Sequence, residues 1–226
     1  DVVITAPVAP VPITLPVSLQ VDFSDPDEND DHTIVIQWGD GTSTTTNVTG
    51  LSAVAVHQYL AVGVYTINVT VTDSYSESAQ AAYRYIVIYD PSGGFITGGG
   101  WFIDPATGAK ANFGFNPKYQ KDGTLKGETE FKLNDLNFRS VSPDWMVING
   151  AKGIFTASGT INGSGEYIIL VSVIDGNIAG GPDRIHVMIW NEMTGDVVYD
   201  NSPVLAELAD PTQPVDGGSI VVHKVK

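Results

Sequence analysis

Hydrophobic and polar residues alternate with a period of two along much of this chain. In the segment 17–23, Val17, Leu19, Val21 and Phe23 fall on one face and polar residues fall on the other. Such alternation predicts a half-buried β-strand. Residues 33–38 repeat the pattern, and residues 81–89 form a further candidate strand. Residues 1–90 therefore read as about seven short strands separated by turns.

The second half of the chain is also rich in strand signals. Its turns contain Asn149-Gly150, Asn162-Gly163 and Asp175-Gly176, and such pairs are strong hairpin signals. Strands joined by turns this short must be antiparallel. The predicted strands are 95–103, 111–119, 127–133, 136–141, 145–148, 153–161, 166–174, 184–190, 197–199 and 219–223.

The two halves of the chain differ in their content of charged residues. The whole sequence carries 26 acidic and 11 basic residues, a net charge of −15. Residues 1–90 hold 11 acids and one base, and every lysine lies at or beyond Lys110. This shift coincides with the turn-rich stretch 90–94 and predicts a domain boundary there. We predict one domain over 1–90, a linker at 91–94 and a second domain over 95–226.

Composition excludes several classes of function. The sequence has no cysteine, so it forms no disulfide and holds no cysteine-ligated metal. A strong negative charge opposes binding to nucleic acid. The longest apolar runs are only strand-sized, so we expect no membrane insertion. No secretion signal is visible, which predicts that the sequence starts after one or is an excised fragment.

A run of three motifs marks the first half. They are Trp38-Gly39-Asp40-Gly41-Thr42, then His57-Gln58-Tyr59, and then the alternating strand that starts at Gly63 and ends before Asp73. Their order closely resembles the polycystic-kidney-disease (PKD) domain. The resemblance implies an immunoglobulin-like β-sandwich that serves as a spacer or adhesive module on secreted proteins. The predicted fold is thus all-β, an immunoglobulin-like β-sandwich followed by a second antiparallel β-sandwich domain.

The resemblance to PKD domains does not cover the second half. Residues 98–101, Gly-Gly-Gly-Trp, and residues 217–221, Gly-Gly-Ser-Ile-Val, give that half its own signature. It resembles an uncharacterised β module near the C-termini of bacterial secreted proteins. This second resemblance implies no activity.

An acidic loop is the strongest candidate for metal binding. Residues 25–31 place five carboxylates in seven positions, and such charges repel unless a cation or fixed donors compensate them. Oxygen ligands at alternating positions suit Ca²⁺, a hard ion that takes six to eight oxygens. Resemblance to metal-binding PKD domains implies that two acids after other strands reach the same end. The predicted ligands are Asp25, Asp27, Asn29, Asp30, Asp31, Asp40 and Asp73.

Other interpretations of these residues stay open. Gln37 stands where the commoner PKD pattern has an acidic residue. The acidic loop could be a solvated loop held by Asp side chains that accept bonds from nearby amides. Asp40 is expected to fix its own turn in that way, with or without a metal. His57 and Tyr59 are expected to be packing residues rather than a catalytic pair.

No recognised catalytic arrangement is present in the sequence. It lacks a Gly-x-Ser-x-Gly elbow, a His-Glu-x-x-His motif and a phosphate-binding loop. Glu128 and Glu130 share a strand face about 7 Å apart, whereas catalytic carboxylates of glycosidases flank a cleft. We therefore predict that the protein is not an enzyme.

Sugar binding would need exposed aromatic rings. Trp101, Trp145 and Trp190 all lie in the second half. The strand patterns around Trp101 and Trp190 predict that these two face a core. Trp145 follows Ser-Pro-Asp and is the ring expected to be accessible as a ligand platform.

The sequence thus predicts a non-catalytic spacer or adhesion region of a secreted or cell-surface protein, with calcium as a candidate stabilising ion. The alternative is a carbohydrate-binding accessory region of a secreted hydrolase. Expected partners are other domains of a larger surface protein and a polysaccharide or protein ligand.

Overall fold

The computed structural model describes residues 1–27 and 30–224. The chain forms two compact units, Asp1–Tyr89 and Asp90–Lys226. The fold is nearly all β, as predicted, and the described helix α1, Gly176–Ala179, is a single turn. No helix among the described residues is long and apolar enough to span a membrane.

The first unit contains eight strands among its described residues. They are β1 Val2–Thr5, β2 Val11–Pro12, β3 Val17–Phe23, β4 Asp31–Gln37, β5 Ser43–Thr49, β6 Ser52–His57, β7 Gly63–Thr72 and β8 Ser78–Tyr89.

These strands form two sheets that enclose one core. The order is β1-β3-β6 in one sheet and β2-β8-β7-β4-β5 in the other. All pairs are antiparallel except β2 with β8, where Val11 pairs with Ile88. Val17, Leu19 and Val21 are fully buried, as the alternation predicts, and pack with residues of the opposite sheet. The immunoglobulin-like sandwich is confirmed.

The second unit contains the remaining strands. They are β9 Phe95–Ile103, β10 Lys110–Phe115, β11 Lys118–Tyr119, β12 Leu125–Lys126, β13 Thr129–Leu133, β14 Leu136–Asn149, β15 Lys152–Ile161, β16 Ser164–Ile174, β17 Arg184–Asn191, β18 Val197–Asp200, β19 Gln213–Pro214 and β20 Gly217–His223.

The twelve strands found among the described residues of this unit form one antiparallel sheet. Its main order is β12-β11-β9-β10-β13-β14-β15-β16-β17-β18, with β19 on β17 and β20 on β9. Strands from both ends of this order, such as β9 and β17, contribute to the same core as strands from its middle. The sheet therefore curls around its own apolar face. The prediction of a second antiparallel β domain is confirmed, and its strands are joined in one continuous sheet.

Two aspartates tie β20 to the loop around α1. The Asp175 carboxylate accepts bonds from the Asn177 and Val222 amides, at 2.9 Å each. The Asp183 carboxylate accepts bonds from the Gly176 and Ile220 amides, at 2.7 Å each. A carboxylate that accepts several amide bonds replaces the partners that these amides lack. These bonds hold β20 beside the β16–β17 connection.

The strands predicted at 136–141 and 145–148 are one strand, β14. It is irregular between Ser140 and Ser142 and again between Pro143 and Trp145. Proline donates no ladder bond and is found in sheets at bulges or edges. The irregularity explains why the sequence pattern breaks at Pro143 although the strand continues.

Candidate functional site

The turn after β4 is organised by Asp40. One carboxylate oxygen accepts bonds from the Thr42 amide at 2.9 Å and from the Thr42 hydroxyl at 2.6 Å. Gly39 has a φ of +83°, and a Cβ at this position would lie 2.6 Å from the Thr66 carbonyl oxygen. Glycine is required there by backbone conformation and by close approach. Asp40 fixes its own turn, as predicted.

The second oxygen of Asp40 links this turn to an aromatic stack. It lies 2.8 Å from His57 Nε2. The His57 ring stacks on Trp38 at a centroid distance of 4.6 Å, and Tyr59 meets its edge. The Tyr59 hydroxyl donates to the Trp38 carbonyl at 2.8 Å. His57 and Tyr59 are therefore packing residues that lock the turn to the core.

This environment favours the ionised form of Asp40. Burial raises the pKa of Asp40, but bonds from Thr42 and His57 outweigh it, so the pKa lies below its ordinary value. Burial raises the pKa of Tyr59, and the charge of Asp40 adds to the effect. The buried phenol stays neutral and acts as a hydrogen-bond donor.

The opposite end of the first unit collects acidic side chains. A cavity of about 210 Å³ is lined by Asp25, Asp73 and Glu77 together with the chain start and His32. Asp31 and Asp73 also line a neighbouring hollow. The predicted ligands Asp25, Asp31 and Asp73 are thus brought to the same end of the sandwich.

Most of these carboxylates already have partners in the turns. Asp25 accepts a bond from the Asp27 amide at 2.8 Å, and Asp73 accepts bonds from the Tyr75 and Glu77 amides. The bond from Asp27 is the largest cause that holds the pKa of Asp25 below its ordinary value, and nearby His32 adds to it. These are the local turns that the solvated-loop interpretation predicts.

The remaining predicted ligands of the loop are bonded to other segments, are exposed, or lie outside the described residues. Asp30 accepts a bond from the Ser74 hydroxyl at 3.0 Å, and Asp31 accepts one from Thr49 at 2.7 Å. Asp27 is exposed. Asn29 lies outside the described residues. Within the described part of the chain, no three His, Cys, Asp or Glu side chains form a group able to hold a metal.

Asp40 does not join this acidic end. It lies in the turn after β4, three residues beyond Gln37, whereas Asp31 is the first residue of that strand. Seven strand residues at about 3.3 Å each separate the two positions. The expectation that Asp40 reaches the same end is therefore wrong, because successive turns of a sandwich alternate between its ends.

His32 is a residue of this end that the sequence did not single out. It is 1% exposed, and its Nε2 lies 3.4 Å from a carboxylate oxygen of Asp25. The contact lacks hydrogen-bond geometry, and neither ring nitrogen has a hydrogen-bond partner among the described residues. The only signal in the sequence was its position as the second residue of an alternating strand.

The comparison with protein families decides the identity of the first unit. Residues 3–88 match the model described as the PKD domain. This segment is a PKD domain. Such domains are commonly extracellular spacer or adhesion modules and are non-catalytic. No match to the chain is found among curated proteins or among solved structures.

The tryptophans that follow the PKD domain differ from their predicted positions. Trp145 is only 9% exposed, so the prediction of an accessible platform is wrong. It pairs with Thr156, and both Thr156 and the neighbouring Leu170 are buried on that side of the sheet. The central strands of the curled sheet are thus covered on both faces, which a single strand pattern cannot reveal.

Trp101 and Trp190 were expected in the core but are only half-buried and lie outside the core cluster. Each neighbours a fully buried residue, Phe102 or Ile189. Because side chains alternate along a strand, a core residue places its neighbour on the outer face. The alternation of residues 95–103 was the signal that could have identified Trp101 as an outward residue.

One arrangement in the second unit resembles a nucleophile and its base. Ser172 pairs with His186 across β16 and β17, and His186 Nε2 lies 2.9 Å from an Asp200 carboxylate oxygen. Ser172 and His186 are both 0% exposed, and the Ser172 hydroxyl has no bond to His186. A substrate cannot reach a hydroxyl that is closed in this way. The arrangement is a packing feature in this structure.

Proposed function

We propose that the chain is a non-catalytic extracellular region that spaces and displays its neighbours on a secreted or cell-surface protein, and that contributes to adhesion. One observation supports the spacing role above all. The polypeptide enters the PKD domain at one end and leaves it at the other.

The strand pairing shows this path. Val2 pairs with Phe23 beside the acidic loop, and β8 starts with Ser78 at the same end. The last residue of β8, Tyr89, pairs with Pro12 at the far end. At about 3.3 Å per residue, the ten residues of β7 alone give a length of about 30 Å. A neighbour on each side is thus held apart by the length of the sandwich.

The side chains support a role without catalysis. Asp40 and Asp73 of the PKD domain are engaged in turns, and the Ser172 and His186 pair is closed to substrate. Glu130 is exposed and lies 3.6 Å from Arg139 rather than across a cleft from a second carboxylate. We expect no turnover of glycoside, ester or peptide substrates.

Calcium binding at the acidic end is part of this proposal. Asp25, Asp31 and Asp73 lie at one end of the PKD domain, and carboxylate oxygens are the ligands that Ca²⁺ prefers. Their present positions do not form a complete cage, so the ion would have to draw the carboxylates together. Asp40 is not part of the proposed site.

The carbohydrate-binding alternative loses the ring that was expected to carry it, because Trp145 is buried. Exposed lysines on the outer face of the second unit keep adhesion to a polysaccharide within the proposal.

Distance measurement tests the spacing role. The chain has no cysteine, so spin labels can be placed at Leu60→Cys and Tyr75→Cys, which replace residues 91% and 77% exposed on either side of β7. Pulsed electron paramagnetic resonance on the full chain should give one narrow distribution of distances between the two labels, centred near 30 Å. Labels at Asp27→Cys and Tyr75→Cys share one end and should give a clearly shorter distance. A broad distribution for the first pair would contradict a rigid spacer.

A further inference from the structure

The outer face of the second unit carries a concentration of positive charge. Its members are exposed residues on β10 to β14 that point away from the core, and we call them the basic strip: Lys110, Lys118, Lys126, Lys132 and Arg139. They are five of the ten Lys and Arg residues in 91–226, a region whose net charge is −5. Acids also lie on or beside these strands. Glu130 pairs with Arg139 at 3.6 Å, and the Asp216 carboxylate accepts a bond from the Ile103 amide. Asp144 is exposed on β14, and Asp122, Glu128 and Asp135 lie in turns at the rim. The five cations therefore form a row along the outer face, with acids between them and at the rim.

Aromatic rings hold two of these cations in place. The Lys110 ammonium lies 4.3 Å from the centroid of the Trp101 ring. Lys118 lies 4.6 Å from the Phe95 ring, which also stacks on His223 at 4.1 Å. Each ring attracts its cation and limits the freedom of a long side chain. The charges are partly ordered before any ligand arrives.

Glycines leave a flat floor between the rings. Gly99 and Gly114 pair across β9 and β10. At both positions, no atom lies within 4 Å of the place where a Cβ would be. A flat ligand could therefore lie directly against the main chain between Trp101 and Glu130, which pairs with Gly114.

The strip also contains a repulsive pair. Lys118 and Lys126 are directly opposite each other on β11 and β12. Like charges in this relation destabilise a strand pair. Lys110 and Lys132 are diagonal neighbours, because Lys132 pairs with Asn112, and such neighbours lie about 7–8 Å apart. A bound anion would relieve the repulsion at both places.

We propose that the basic strip binds an anionic polysaccharide, a sugar chain with repeated carboxylate or sulfate groups. The repeated cations match repeated anions, the edge of Trp101 and the glycine floor suit a flat sugar ring, and the exposed amide of Asn112 suits hydroxyl groups. This inference rests on the proposed adhesive function and names its ligand class.

Affinity electrophoresis of the full chain tests the proposal. Gels would contain polygalacturonate for carboxylates, dextran sulfate for sulfates, or neutral dextran. We expect retardation by at least one anionic polymer, none by neutral dextran, and loss of retardation in about 0.5 M salt, where exposed charges are screened. The two anionic gels show which group is preferred.

Matched variants locate the surface. Lys110→Gln with Lys132→Gln should weaken binding at least tenfold. Lys121→Gln with Arg184→Gln removes the same charge outside the strip and should change binding less than twofold. Trp101→Leu should weaken binding at unchanged salt, whereas Trp190→Leu should not. Melting temperatures identify variants that are merely unfolded.

Three outcomes would overturn the inference. The first is that Lys121→Gln with Arg184→Gln weakens binding as much as Lys110→Gln with Lys132→Gln does. The second is equal retardation by duplex DNA, which would make the strip a general polyanion site. The third is salt-sensitive self-association that Lys110→Gln with Lys132→Gln abolishes, which would assign the strip to the acidic surface of a second copy. None of them alters the distance expected across the PKD domain, so the spacing role is tested separately.

Discussion

Asp40 stabilises the PKD domain through both of its carboxylate oxygens. One oxygen accepts a hydrogen bond from Thr42 within the turn, and the other contacts His57, which stacks on Trp38. A single side chain thus connects a local turn to the core. Asp40→Ala would remove the bonds from Thr42 and His57 and leave those groups without their partner.

We expect Asp40→Ala to lower the stability of the PKD domain by about 1–3 kcal/mol. Because the pKa of Asp40 lies below 3.8 in the folded state, its contribution is present above pH 4 and is lost as the pH falls through the lowered value. The difference between wild type and variant should shrink at low pH. Hydrogen exchange of the segment 31–60, followed by mass spectrometry from pH 7 to pH 3, measures it.

Glu77→Ala is the matched control, since this exposed side chain is on the same domain. It should change stability by about 0.5 kcal/mol or less. An equal effect of the two variants would show that Asp40 has no special role.

The loop between β3 and β4 is the place where the calcium hypothesis can be tested. Ca²⁺ that binds only the folded chain would stabilise it by about 2.7 kcal/mol at a hundredfold excess over Kd. We expect millimolar calcium to raise the melting temperature, chelator to reverse the rise, and Asp27→Ala to weaken it.

Asp122→Ala is the control for this experiment, because Asp122 is also an exposed turn carboxylate but lies on the second unit. It should leave the calcium effect intact. A melting temperature that calcium does not change would reject the site and favour the solvated loop.

Strand β9 shows how far an element can be predicted. Its bounds, 95–103, agree with the prediction. The alternation of Ile96 and Phe102 with outward residues was also present in the sequence. That alternation places Trp101 on the outer face. The expectation that Trp101 lies in the core rested instead on its size and hydrophobicity. Hydrophobicity alone does not reveal the face of a sheet.

Limited proteolysis should separate the two units of the chain. The stretch 90–94 has its own small turn, in which Asp90 accepts bonds from the Ser92 amide and hydroxyl. A protease of broad specificity should cut first there, because exposed connections with glycine are the preferred sites. Mass spectrometry should find fragments near residues 1–90 and 95–226.

Each fragment should keep a β-type circular dichroism spectrum. Early cuts within β7 or β15, or loss of structure in the first fragment, would contradict the division.

Many features of the fold follow from residues that are close together in the sequence. Period-two alternation placed Val17, Leu19 and Val21 in a core, because neighbouring side chains of a strand must point to opposite faces. The Gly-Asp-Gly turn required glycine at Gly39 and a carboxylate at Asp40, and these needs arise within a few residues. The PKD fold follows from the order of such local features.

Contacts between residues far apart in the sequence became clear only from the folded chain. Asp31 and Asp40 are separated by the length of β4, so they cannot share an ion, although they are near in sequence. Trp145 is buried because the central strands of a curled sheet are covered on both faces. Lys110 and Lys132 become neighbours only when β10 and β13 pair. These relations depend on which strands meet, and strand pairing is a property of the whole chain.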